Sequence, residues 1–159
     1  MTETTPAGID DETYAVTRTV LIRAHRSAVW AAITTPELIT EWFGERASFD
    51  SLDAGAVGVL GWDGHGDFPV LITEVEEPMV FAFRWGDVGE TTLVEGNSTL
   101  VRYSVDEDPD GTRLTVVETG FNRLDVSDEN RRARANENRG GWDEELDELL
   151  AFLEKQDSL

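Results

Sequence analysis

The sequence contains no cysteine, which excludes disulfides, thiolate metal sites and cysteine nucleophiles. It is also poor in positive charge: 13 Lys and Arg face 33 Asp and Glu, and Lys155 is the single lysine. A net charge of −20 leaves no basic patch to neutralise phosphates, which argues against nucleic acid and anionic membranes as partners. It reads as a solvated acidic surface rather than a recognition face. No apolar run approaches the ~18 residues of a membrane span. The opening MTETTPAGIDDETYAV has neither a basic start nor an apolar run, so no secretory leader is expected and a cytoplasmic location is.

Metal-binding and nucleotide signatures are equally thin. His25 and His65 are the two histidines. Asp63, His65 and Asp67 could be imagined as one ligand group, but WDGHGD reads better as an exposed turn. DPDG at 108–111 lacks the closing Glu of a calcium loop. No Walker loop, dinucleotide fingerprint or Ser-His-Asp order is present, and no metal or cofactor is expected.

What the chain does have is length and apolar patterning for one domain. Its 159 residues, 40% of them hydrophobic, can bury about 70% of the unfolded surface. Residues 1–12 read as a flexible tail and 13–157 as a single domain. YAVTRTVLIR (14–23) alternates as a strand, with Arg18 on its apolar face. SAVWAAIT (27–34) is helical with Ser27 as a plausible cap, and PELITEWF follows as a second short helix, with Thr35 as cap and Gly44 as stop. From residue 46 to 121 the period changes to two, and turn-rich DGHGD, EEP, GDVGE and DPDG punctuate the strands. Ser127 then caps a helix reaching Lys155, with Trp142, Leu146, Leu149, Leu150 and Leu153 on one face. Gly140 and Gly141 fall inside or at a break of that helix, where each costs roughly 1 kcal/mol relative to alanine. The expectation is an α+β fold: a curved antiparallel sheet of about seven strands, two short helices after the first strand, and a long C-terminal helix across the sheet.

Three segments carry a resemblance. AVWAAITTPELITEWFG, GTRLTVVETGF and GGWDEELDELLAFLE resemble, in order, the first helices, last strand and final helix of the family of activators of the heat-shock-protein-90 ATPase and their homologues. The resemblance spans roughly 14–155. It implies the helix-grip fold of the START-like (SRPBCC) superfamily, in which a cavity often lies between the sheet and the last helix. It does not imply one activity.

Within that frame the aromatic strand MVFAFRW places Met79, Phe81, Phe83 and Trp85 on one face, as core or as cavity lining. Trp62, Phe81, Phe83, Trp85, Tyr103, Glu118, Gly141, Trp142 and Leu146 are the candidate ligand-binding residues, and the paired glycines mark the cavity mouth. Glu118 shares a face with Leu114 and Val116. Turned inward, it is a weak candidate for a general acid or base; otherwise it is a solvated strand end. Arg18 could pair with it across neighbouring strands. Trp30 and Trp42 read as packing residues. The leading expectation is a binding protein for a small apolar or aromatic ligand. A cyclase- or hydratase-type enzyme using the same cavity is the alternative, followed by a co-chaperone-like regulator of the heat-shock protein 90 ATPase. A monomer or homodimer fits equally.

Overall fold

A computed structural model describes the backbone of residues 5–157. The alternating segments become strands β1 (Gly8–Ile9), β2 (Val16–Ile22), β3 (Arg46–Phe49), β4 (Val57–Trp62), β5 (Gly66–Glu76), β6 (Val80–Gly86), β7 (Ser98–Asp108) and β8 (Gly111–Thr119). They form one eight-stranded antiparallel sheet in the order β1-β2-β8-β7-β6-β5-β4-β3. Two short helices, α1 (Arg26–Thr34) and α2 (Pro36–Ile39), follow β2, and α3 (Asp128–Asp157) ends the chain. The arrangement is the expected α+β helix-grip fold, with a curved sheet and a long last helix.

The sheet has one strand more than about seven. The extra piece is β1, inside the segment expected as a tail: Gly8 and Ile9 pair with Thr17 and Val16, and the Ala7 N–H donates to Asp143 at 2.7 Å. Residues 1–4 of that tail lie outside the described residues. Two helix caps also differ from expectation. His25, not Ser27, is the α1 N-cap residue, and Thr35 occupies its cap position without a side-chain bond. Ser127 caps as expected, its Oγ accepting the Asn130 N–H at 3.2 Å.

Period-two alternation decides which side chains face α3. Trp85 stands opposite Thr99, Phe83 opposite Val101, and Phe81 opposite Tyr103. Across the next pair, Val101 meets Glu118 and Tyr103 meets Val116, and beyond it Val16 meets Glu118 and Arg18 meets Val116. Cross-strand partners share a face, so these residues line one concave surface. Trp142, Leu146, Leu149, Leu150 and Leu153 of α3 are buried against it. Met79 departs from the aromatic stripe. It precedes β6 in a turn, where its N–H donates to Glu76, and is 47% exposed.

Two polar contacts from β2 and the residues before it help to tie the helix down. Arg18, 4% exposed, donates from Nη1 to the Trp142 and Asp143 carbonyls and from Nη2 to Asp147 at 2.7 Å. Tyr14, held at a positive φ of 64°, donates its hydroxyl to Asp128 in the first turn of α3 at 2.9 Å.

Candidate functional site

The chemistry-bearing residues gather where α3 passes over the ends of β6, β7 and β8. Glu118 is fully buried here. Its Oε1 accepts from Trp142 Nε1 at 2.9 Å and Asn138 Nδ2 at 3.0 Å. Its Oε2 accepts from Trp85 Nε1 at 2.9 Å, from Thr99 Oγ1 and from the same Asn138 amide. Every donor is neutral. Such a set solvates a carboxylate through hydrogen bonds in place of a counter-ion. The expected pair with Arg18 does not form. The two side chains share the concave face, but Arg18 turns to the α3 carbonyls and to Asp143 and Asp147, while Glu118 is satisfied by indole, hydroxyl and amide. With both oxygens engaged, Glu118 serves better as an anchor for the surrounding side chains than as a proton acceptor.

Directly above this knot lies a half-open cavity of about 570 Å³. One wall is aromatic. Trp62, Phe68 and Trp85 touch one another, with centroid separations of 5.5 Å for Trp62–Phe68, 6.1 Å for Trp62–Trp85 and 6.3 Å for Phe68–Trp85. Phe121 and Leu124, in and just after the short turn that follows β8, extend the apolar surface. The polar part of the lining contributed by α3 is Arg134, Glu137, Asn138 and Glu145. Ser98 and Thr99 at the start of β7, Asp87 and Asn97 in the β6–β7 connection, and His65 in the β4–β5 turn complete the lining. Arg134 Nη1 donates to Asp87 at 3.0 Å, joining α3 to that connection.

Two ionisable groups here are shifted. Partial burial, with Glu148 and Glu144 alongside, pushes the Glu145 carboxyl up to about 7. Burial first, then the Glu118 and Glu145 carboxylates, pushes the Tyr103 phenol well above its ordinary range. Tyr103 is therefore a neutral hydroxyl throughout the physiological range, whereas Glu145 can hold or release a proton there.

The candidate residues separate into two groups. Trp62 and Trp85 line the cavity, and Glu118 and Trp142 lie immediately behind it, joined to Trp85, Thr99 and Asn138. Phe81, Phe83, Tyr103 and Leu146 are packed core. The first three border a separate void of about 10 Å³, roughly one water. Gly140 and Gly141 lie in the interior of an unbroken α3, and a Cβ at either would meet nothing within 4 Å. They allow no close approach of the sheet, contrary to the expectation for a cavity mouth. The imagined Asp63 and Asp67 ligands instead hold Arg46, at 2.6 and 2.9 Å.

Several cavity residues escaped sequence reasoning. Phe68 stands next to a proline in a strand that reads as ordinary alternation. Arg134, Asn138 and Glu145 belong to the polar side of α3, where the number of acids hides the one that matters. Their spacing of four and seven residues, which also spans Gly141, is the signal that puts them on one stripe.

A family model for activator of Hsp90 ATPase homolog 1-like protein matches residues 23–154. No curated protein matches the chain. Among solved structures, protein MLL2253 from Mesorhizobium loti is 20% identical with a TM-score of 0.75, covering 89% of this chain and 97% of its own. CalU16 from Micromonospora echinospora is 24% identical with a TM-score of 0.68, covering 96% and 86%. The Aha1 dimer from Colwellia psychrerythraea is 15% identical with a TM-score of 0.69, covering 87% and 95%. At these identities the likeness is one of fold. Among the described residues no helix is long and apolar enough to cross a membrane. With its sheet, its last helix and 132 consecutive residues (23 to 154) matching the family model, the chain belongs to the family of activator of Hsp90 ATPase homolog 1-like proteins.

Proposed function

We propose that the protein binds a small molecule in the cavity between the sheet and α3. The observation that carries this reading is the cavity itself. Its volume of about 570 Å³ falls in the range of ligand sites, and its lining joins an aromatic wall to a few polar groups. The Glu118 knot supports it, because a network that fixes Trp85, Thr99 and Asn138 holds the cavity wall in one shape before any ligand arrives. A regulator acting on Hsp90 through its outer surface would have no use for such a cavity, which ranks ligand binding above that alternative.

The reading is tested by following the indole N–H resonances during titration with a library of small aromatic compounds. Binders are expected to move Trp62 and Trp85 and to leave Trp30, in the packed core, unmoved. A library with no binder, or binders that move neither Trp62 nor Trp85, would overturn it.

One observation favours a second reading, an enzyme of the cyclase or hydratase type. Glu145 lines the same cavity with its carboxyl pushed up to about 7, in the range suited to proton transfer near neutrality. In that case Glu145 rather than Glu118 carries the proton, and Glu145→Gln abolishes turnover without preventing ligand binding.

A further inference from the structure

We propose that the cavity selects an organic ammonium ion, a protonated or alkylated amine carried on an apolar or aromatic body. This rests on the ligand-binding reading above and adds the charge of the ligand to it.

The first observation is the balance of charge around the cavity. Its lining includes three carboxyls, Asp87, Glu137 and Glu145, and one arginine, Arg134. That arginine is already committed, since its guanidinium donates to Asp87 at 3.0 Å. His65 sits at the exposed rim. Behind the wall, the buried Glu118 side chain accepts from indole, hydroxyl and amide donors, and the Arg18 guanidinium on the same face is turned to the α3 carbonyls and to Asp147. An anionic ligand would meet acids with no free positive partner, whereas an ammonium ion would supply the missing positive charge.

The second observation is independent of charge. Trp62, Phe68 and Trp85 form a three-ring wall within one cavity, every pair in contact. Aromatic faces attract cations through the ring quadrupole, and grouped rings are the usual means of holding alkylated ammonium groups. Glu145 lines the same cavity, so one pocket offers a cation both aromatic rings and a carboxyl. The ammonium binds as an ion pair, with no bond made or broken. Glu145 gives up its proton to solvent where it was still protonated.

The inference is tested by calorimetric titration of the full chain with tryptamine, tryptophol and indole-3-propionate, which share an indole body and differ in head group. Tryptamine is expected to bind at least tenfold more tightly than the alcohol, and the carboxylate most weakly. Glu145→Gln is expected to cut the preference for tryptamine over tryptophol by about tenfold. Circular dichroism of the variant checks that it is folded. Equal or better binding of tryptophol would overturn the cation inference and leave the ligand-binding reading standing. Binding of none of the three overturns the inference, and the indole resonance titration then decides the parent reading separately. An unchanged preference in a folded Glu145→Gln variant removes Glu145 from the recognition and overturns the inference as stated.

Discussion

Glu118 and Glu145 are two carboxyls around one cavity with different tasks, set by their partners. Glu118 is buried among donors, and all of them point hydrogen at its oxygens. Replacing it by Gln turns one oxygen into an amide NH2 that faces other N–H or O–H groups. This Glu118→Gln change is expected to lower stability by about 2–3 kcal/mol, because buried donors lose their acceptor; urea unfolding with an unchanged midpoint would contradict it. Glu145 is governed by linkage. Its carboxyl ordinarily titrates at 4.5 and in the fold at about 7. Between those values the folded chain holds a proton that the unfolded chain has released. The stability that this group contributes is therefore full below about 4.5 and is lost as pH rises through 7. Partial exposure screens the effect to about 1–2 kcal/mol. Glu145→Gln is expected to remove this loss, so that the melting temperatures of variant and parent move apart between pH 5 and pH 8, with the variant the higher at pH 8. That Glu118 shares a face with Leu114 and Val116 was legible from alternation, whereas its burial at the strand end was not. Its partners were not, because Asn138 and Trp142 come from a helix some 20 residues further on (|i−j| of 20 and 24). Glu145 was hidden among acids that alternation and periodicity treat alike.

At the scale of the element, α3 is the informative case. Its start at Ser127, its apolar stripe and its length were all readable, because capping and 3.6-residue periodicity are local. The role of Gly140 and Gly141 was not, since sequence says nothing about the space around a Cβ. That space is empty, and the backbone there is ordinary helix. Replacing both by Ala is therefore expected to stabilise the fold by roughly 1–2 kcal/mol in total, the propensity difference at two helix-interior positions. A rise in melting temperature checks this; a fall would mean that the helix needs its flexibility here. Gly141 lies on the stripe shared by Asn138 and Glu145 and keeps that stripe free of bulk between them. The aromatic strand gives a second lesson. Alternation correctly turned Phe81, Phe83 and Trp85 inward, but only Trp85 lines the cavity, while Phe81 and Phe83 lie among Ile33 of α1, Ile39 of α2 and the aromatics that follow it. Lining and core share a face, and alternation alone does not separate them.

At the scale of the whole molecule, the sheet and α3 are joined by a polar tie as well as by apolar contact. Arg18 reaches from β2 into α3 and carries two carbonyls and the Asp147 carboxylate on one guanidinium. Arg18→Ala removes those donors, and because Asp147 stays largely in water a loss of about 1–3 kcal/mol is expected. Loosened docking of α3 should appear as faster amide exchange around Trp142 than in the sheet centre. Uniform exchange would contradict this. The fold itself was legible at this scale: strand, two short helices, a meander and a long helix fix the architecture once the meander is taken as antiparallel. The cavity was not, because it is the space left between elements rather than a property of any one of them. The central claim is that this space holds a ligand, and native mass spectrometry of the protein purified from its own host tests it most directly. The expected result is one small molecule per chain, lost when Trp62→Arg removes a ring of the aromatic wall and puts a cation in its place. A spectrum showing only the bare chain under conditions that preserve non-covalent complexes would contradict the claim.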